Sequence, residues 1–233
     1  MPTDSWLKID FHTHTSEDPY DNIAYDALQL ILKASQMGYD ALAVTNHDIL
    51  TMDPTLTEFA EKKDLLLLPG MEANFSKKHV LIINPGFNRN SKTSTLEDLK
   101  AVKKSDNLII APHPFFPGSS SLGKDLTENI SLFDAIEHSQ YYNRLIDFNK
   151  KAVRTALIHQ LPMVGSSDCH CIWQFGHAYS LVQAEKNTAS IIRAVKNGKI
   201  KHHSPPLSNN NFSRSALLFL QTRCFRSKRK RVP

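Results

Sequence analysis

Short apolar runs alternate with longer helix-periodic stretches along this 233-residue chain, and six of the runs finish on a histidine or a carboxylate. "WLKIDFHTH" closes on His12 and His14, "DALAVTNH" on His47, "LLLLPGME" on Glu72, "NLIIAPH" on His113, "LFDAIEH" on His138, and "PMVGSSDCH" on Asp168 and His170. Strand patterns alternating with helix patterns predict an α/β fold with parallel strands. In a barrel of parallel strands the ends meet at one face, where such folds build their sites. Residues two apart on an extended strand point the same way, so His12 and His14 reach one point, as do Asp168 and His170.

Imidazole nitrogens mixed with carboxylate oxygens suit zinc, manganese or iron, whereas calcium and magnesium prefer oxygen alone. The candidates outnumber the four ligands of one tetrahedral zinc. Two or three divalent transition metals per chain are therefore expected, with a carboxylate such as Glu72 able to bridge two of them. His159, His177, His202 and His203 fall outside the pattern. Cys169 and Cys171 alternate with His170 and so face the other way on an extended segment, which argues against a thiol nucleophile.

The helix signals are local. Ala24, Ala27, Leu28, Ile31, Leu32 and Ser35 mark one apolar face of "NIAYDALQLILKASQMG", with Gly38 as its stop. Asp53-Pro54 starts a helix running to about Lys63, Ser94 and Glu97 form a capping box for "TLEDLKAVKKS", and a helix is expected from about Asn143 to His159. A further helix covers "TASIIRAVKNG". A boundary is expected at 201/202, ahead of "HHSPPLSNNNFS", which reads as a linker. Beyond it, "RSALLFLQTRCFRSKRKRVP" reads as a short amphipathic helix ending in a basic cluster suited to an anionic surface.

Twelve of the 28 Lys and Arg residues follow Glu185, where no acidic residue remains; the preceding chain carries 16 basic against 23 acidic residues, a net charge of −7. The sequence pI of about 9.0 thus belongs to the tail. The pI therefore says little about the partner of the acidic body, which offers no long surface for tracking nucleic-acid phosphates. Three cysteines cannot form a fully paired disulfide set, and no secretory leader or membrane-length apolar run is present, so a cytoplasmic location is expected.

The ordered motifs "DFHTHTSED", "ALAVTNHD", "PGMEANF", "APHPF", "AIEHS" and "GSSDCH" resemble those of the polymerase-and-histidinol-phosphatase (PHP) family of metal-dependent phosphoesterases. The resemblance runs from about Ile9 to His170, and more weakly to about Lys199. It implies a distorted TIM-like barrel of about seven strands with a trinuclear metal site at the strand C-termini. By motif, His12, His14, Glu72 and Asp168 would hold one metal; Glu72, His113 and His138 a second; and a carboxylate, His47 and His170 the third. The family's usual carboxylate position falls on Pro19, so Asp18 is chosen, with Glu17 and Asp21 as alternatives. The family's frequent Asp before the second-motif histidine is Asn46 here. His79 matches a position near the site in many members that contacts substrate or metal; because it opens a strand rather than ending one, it is set below the ligands and taken as a substrate contact.

Such a site implies hydrolysis of a small phosphomonoester by a metal-activated water, with Glu72, Asp168 and His170 at the reacting centre. A nuclease or nucleotide phosphodiesterase is the second expectation, and a non-catalytic metal-binding or membrane-tethered module the third. Lys77, Lys78, Lys124 and Arg144 are candidate phosphate contacts. The loop "FFPGSSSLGK" after His113 is placed to cover the pocket but lacks phosphate-loop spacing.

Overall fold

The computed structural model describes residues 5–88 and 94–218. Its strands form two five-stranded sheets. The first holds β1 (Ser5–Asp10), β2 (Ala41–Ala43), β3 (Leu66–Leu68), β9 (Tyr179–Ala184) and β10 (Ile200–His203) in the order β10-β9-β1-β2-β3. The second runs β4 (Gly70–Phe75), β5 (Lys78–Ile83), β6 (Leu108–Ala111), β7 (Ala135–Ser139) and β8 (Met163–Ser166) in chain order. Parallel pairing is confined to β1-β2-β3 and β6-β7-β8; β9, β10 and the β4-β5-β6 meander pair antiparallel.

The expected seven-stranded closed barrel is therefore corrected to two open sheets. Physical reasons stand at both seams. Between β3 and β4 the chain passes through Pro69, which has no N–H to donate. Between β8 and β9 a hydroxyl replaces the ladder: Ser180 Oγ accepts from Gly165 N at 3.0 Å and donates to Gly165 O at 2.9 Å. A Cβ at Gly165 would stand 2.7 Å from Tyr179 O, so only glycine allows this approach. Two isolated parallel bridges, Thr13 to Cys169 and His47 to Glu72, join the sheets at the strand ends.

The sheets enclose one core containing Leu7, Ile9, Phe11, Leu81, Ile110 and Val182, lidded by Ile191, Ile192 and Val195 of α6 (Thr188–Lys196). The other helices cover the outer faces. α1 (Ala27–Gln36) opens on a capping box between Asp26 and Gln29. It buries Ala27, Leu30, Ile31 and Ala34, leaving Leu28 and Leu32 exposed, so the helix is rotated from its expected face. α2 (Pro54–Glu61) has the expected cap, with Asp53 accepting from Leu56 N.

α3 is a single turn (Leu99–Val102), because Asp98 turns back to accept from Thr95 N and Oγ1 and the Ser94–Glu97 box does not form. α4 (Lys124–Glu128) is equally short, and α5 (Asn149–His159) starts six residues later than expected, after a loop. β10 carries the first sheet across the expected 201/202 boundary. Residues 209–218 are helical and packed: Tyr142 donates to Ser204 O at 2.6 Å, Leu207 N to Tyr142 O, and the Arg214 guanidinium lies 4.3 Å from the Trp173 ring centre. The basic cluster of the tail lies outside the described residues. Among the described residues no helix is long and apolar enough to cross a membrane.

Candidate metal centre

His12 and His14 follow β1 in extended backbone held by Thr13, which exchanges backbone and hydroxyl hydrogen bonds with Thr45 and donates its own hydroxyl to Ala43 O. Both imidazoles consequently point inward. Each turns Nδ1 to a carboxylate: His12 to Glu137 Oε1 at 2.9 Å and His14 to Asp18 Oδ2 at 3.1 Å. His47 does the same, with Nδ1 2.8 Å from Asp18 Oδ2. An ionised carboxylate only accepts, so Nδ1 carries the proton and the Nε2 lone pair of each neutral ring faces the centre.

Those Nε2 atoms converge. His12 Nε2 and His14 Nε2 are 3.1 Å apart, and each lies 3.3 to 3.4 Å from Asp168 Oδ1. Glu72 completes the group, with Oε1 3.6 Å from His12 Nε2 and Oε2 3.4 Å from His14 Nε2. Four donors at zinc-like bond lengths around one centre stand about 3.3–3.6 Å apart at tetrahedral angles. The donor set thus fits a divalent ion. Two facing lone pairs at this distance repel one another unless a proton or a metal ion lies between them.

Glu72 also meets a second set. His47 Nε2 is 2.9 Å from Oε2, while His79 Nδ1 and His113 Nε2 are 2.6 and 3.1 Å from Oε1. His47 Nε2 and His79 Nδ1 are buried without hydrogen-bond geometry to any group. Five imidazoles around one carboxylate exceed what its lone pairs can accept as hydrogen bonds, so a second ion sharing Glu72 fits there as well. The surrounding histidines hold the Glu72 carboxyl well below its ordinary range despite burial. Neighbouring carboxylates raise His12, His14 and His113, and bring His47 up to about 9. Burial instead lowers His79 to about 4. His113 (φ 29°) and Asp168 (φ 45°) adopt left-handed backbone that ordinary residues avoid, a strain typical of functional sites.

His12, His14, His47, Glu72, His113 and Asp168 are thus brought together as expected. His170 stands at the rim, with Nε2 3.2 Å from Asp21 Oδ2 and Nδ1 3.6 Å from Asp168 Oδ1. Asp18 is deep in the cluster, but Oδ2 accepts from His14 Nδ1, His47 Nδ1 and His47 N, and Oδ1 from Tyr20 N and Asp21 N. It orients two histidines rather than offering a free oxygen. Of its alternatives, Glu17 is exposed and bonds Ala27 N, whereas Asp21 faces His170.

His138 is not in the cluster. It lies on the other face of β7, its ring stacked 5.0 Å from His202. Its neighbour Glu137 takes the inward position, accepting from His12 Nδ1, Ser166 Oγ and His113 N. Sequence reasoning missed Glu137, although a glutamate inside an apolar parallel strand is a signal in itself. His79 belongs with the ligand candidates, and Asn46 joins the motif loops by bonding Thr15 and Thr51. Lys77 sits exposed at the tip of the β4-β5 turn, and Arg144 is exposed on the β7-α5 loop; neither reaches the cluster. Cys169 is buried with its thiol raised to about 11, which disfavours a thiolate.

Residues 147–200 match the family model described as PHP-associated. DNA polymerase III PolC-type of Staphylococcus epidermidis is 32% identical over 88 residues, which is 38% of this chain but 6% of the polymerase. A two-domain protein from Bacteroides vulgatus, described as containing a predicted PHP-like metal-dependent phosphoesterase, superposes with a TM-score of 0.66 at 21% identity, over 92% of this chain and 70% of that one. The fold is thus similar to that of a PHP-like protein, and one segment matches a PHP-associated model. A lesion-specific endonuclease from Pyrococcus furiosus shares this fold at a TM-score of 0.60 and 17% identity, covering 84% of this chain and 57% of the endonuclease.

Beside this cluster, Glu137 and His138 provide a contrast. Glu137→Ala is expected to lower metal affinity by about 10–100-fold, the usual effect of removing a carboxylate that orients a ligand histidine. His138→Ala should leave metal content unchanged. Competition against a coloured chelator measures both, and equal losses from the two variants would contradict the placement.

Proposed function

We propose that this chain is a metal-dependent phosphoesterase that hydrolyses a phosphomonoester with a metal-activated water. The observation that carries this reading is the convergence of His12 Nε2, His14 Nε2, Asp168 Oδ1 and Glu72 at 3.1 to 3.6 Å, with both Nδ1 atoms bound to carboxylates. His12, His14, Glu72 and Asp168 would hold one ion; His47, His79 and His113 would hold a second through Glu72. Bound divalent ions would acidify a water and neutralise phosphoryl oxygens.

The chain's own residues do the rest. Glu137 and Asp18 hold the Nδ1 atoms of the histidines, so each ring is aimed with Nε2 towards the centre, where a metal would displace its proton. Asp168 is held ionised by the histidines around it. The half-exposed His170 stands beside Asp168, where an imidazole can pass a proton to a departing alkoxide and exchange it with solvent. The phosphate ester enters from this rim.

The fold shared with a lesion-specific endonuclease favours phosphodiester cleavage as the second reading. A panel of phosphomonoesters and oligonucleotides, assayed with zinc-, manganese- and iron-loaded protein, tests both. Monoester hydrolysis abolished by chelator is expected. Cleavage of oligonucleotides alone would overturn the monoester reading in favour of the nuclease.

A further inference from the structure

Beside the metal centre a cleft of about 630 Å³ opens between the loop Pro114–Gly123 and the start of α5. We propose that it is a subsite for a planar heteroaromatic ring carrying a phosphate, as in a nucleoside monophosphate. This inference rests on the phosphoesterase reading: the cationic rim draws in the phosphate that the metal centre would cleave, and the aromatic walls hold the base beyond it.

Position comes first. Pro114 of the cleft directly follows His113, and Lys78 directly precedes His79. The aromatic wall reaches the centre as well. Phe148 meets Phe116 edge-on with ring centres 5.3 Å apart, Phe116 lies 6.2 Å from Tyr141, and the Tyr141 hydroxyl donates to Asp168 O at 2.5 Å.

The walls are preformed. Phe116 N bonds His113 O, Gly123 N bonds Pro114 O, and Lys78 Nζ pins the loop through Ser119 O and Ser121 O. A volume of this size is typical of a small-molecule site.

Chemistry defines the occupant. Four lysines and two aspartates line the cleft, together with three phenylalanines. Lys150 and Lys151 stand in the first turn of α5, where the helix dipole disfavours positive charge, and neither has an ion-pair partner among the described residues. An anion relieves that arrangement. Flat apolar walls with a cationic rim are the combination that stacks a base and holds its phosphate. The limited volume of the cleft and the net charge of −7 on the 16 basic and 23 acidic residues up to Glu185 favour a mononucleotide over a strand.

The test uses the full chain stripped of metal, with AMP, adenosine and ribose 5-phosphate as calorimetric probes. AMP is expected to bind about tenfold or more tightly than ribose 5-phosphate, the scale of one stacked base. The double variant Lys150→Glu/Lys151→Glu, exposed on both side chains, should weaken AMP by a similar factor. Phe116→Leu should weaken AMP but not ribose 5-phosphate. On metal-loaded protein, Phe116→Leu should lower the ratio of AMP to ribose 5-phosphate hydrolysis.

Equal affinity for AMP and ribose 5-phosphate, or variants with wild-type AMP binding, would overturn the subsite while leaving monoester hydrolysis intact. A short single-stranded oligonucleotide binding more tightly than AMP, with steep salt dependence, would overturn it in favour of a strand groove. AMP binding through these residues without hydrolysis of any ester would support the subsite and remove the phosphoesterase reading.

Discussion

Replacing Glu72 with alanine is expected to remove at least one metal ion per chain and to lower ester hydrolysis by about 10²–10³-fold, the range seen when a charge-stabilising group is lost at a reacting centre. Five imidazole nitrogens lie within 3.6 Å of this one carboxylate. Asp18 also touches both sets, but at the Nδ1 atoms of His14 and His47, whereas Glu72 meets their Nε2 atoms. The main chain of Glu72 does separate work: its N–H donates to Thr45 O at 3.0 Å and its carbonyl accepts from Asp48 N at 3.0 Å. These bonds survive the substitution, so the His47–Glu72 bridge and the fold should persist. Glu72→Gln keeps the shape but loses the charge, and should fall between the two. Elemental analysis with circular dichroism checks the outcome. Unchanged metal content in a folded Glu72→Ala protein would mean that Glu72 bridges nothing.

Much of this centre is legible in the sequence because strand ends are legible. Apolar runs that stop at His12, His47, His113 and Asp168 specify both the element and the end at which the polar residue lies. What fails is direction within a pair of neighbours. In "AIEHS" a strand turns Glu137 and His138 to opposite faces, and the motif suggested the wrong one of two plausible ligands. The α1 error is of the same kind. Ala27, Leu30, Ile31 and Ala34 form one stripe and Leu28 and Leu32 lie on an adjacent one, so local periodicity admits both and packing against the sheet decides.

His79 was discounted because it opens a strand. The antiparallel β4-β5 hairpin reverses which end of β5 faces the site, and strand direction cannot be read from an apolar run. Closure of the barrel turns on single backbone details, at Pro69 and at the Gly165–Ser180 contact, that leave no periodic trace. Asp18 is a case of bond counting: its type and position are right for a ligand, but five N–H groups already claim its oxygens.

Metal uptake should be steeply coupled to protons, weakening by about 10²-fold for each unit of pH lost between 8 and 6 if two protons leave per ion. In stripped protein, carboxylates hold His12 and His14 well above the ordinary imidazole range and His47 at about 9. Their Nε2 atoms therefore carry protons at neutral pH, and a metal must displace them. The same groups set the stability of the stripped form. A raised histidine stabilises fully below its unfolded value of about 6.5 and loses that contribution as pH rises through its folded value. The depressed carboxyls of Asp168 and Glu72 stabilise above about pH 4 and fail as pH falls. His79, lowered to about 4, works against the fold once pH drops below about 6.5. Stripped protein should accordingly be most stable near pH 6 and weaken towards pH 9, where bound metal replaces the lost protons between the same nitrogens. The gap in melting temperature between loaded and stripped protein should thus widen from pH 6 to pH 9. A gap independent of pH, with no proton release in weakly buffered titrations, would show that the converging nitrogens are already neutral in the stripped protein.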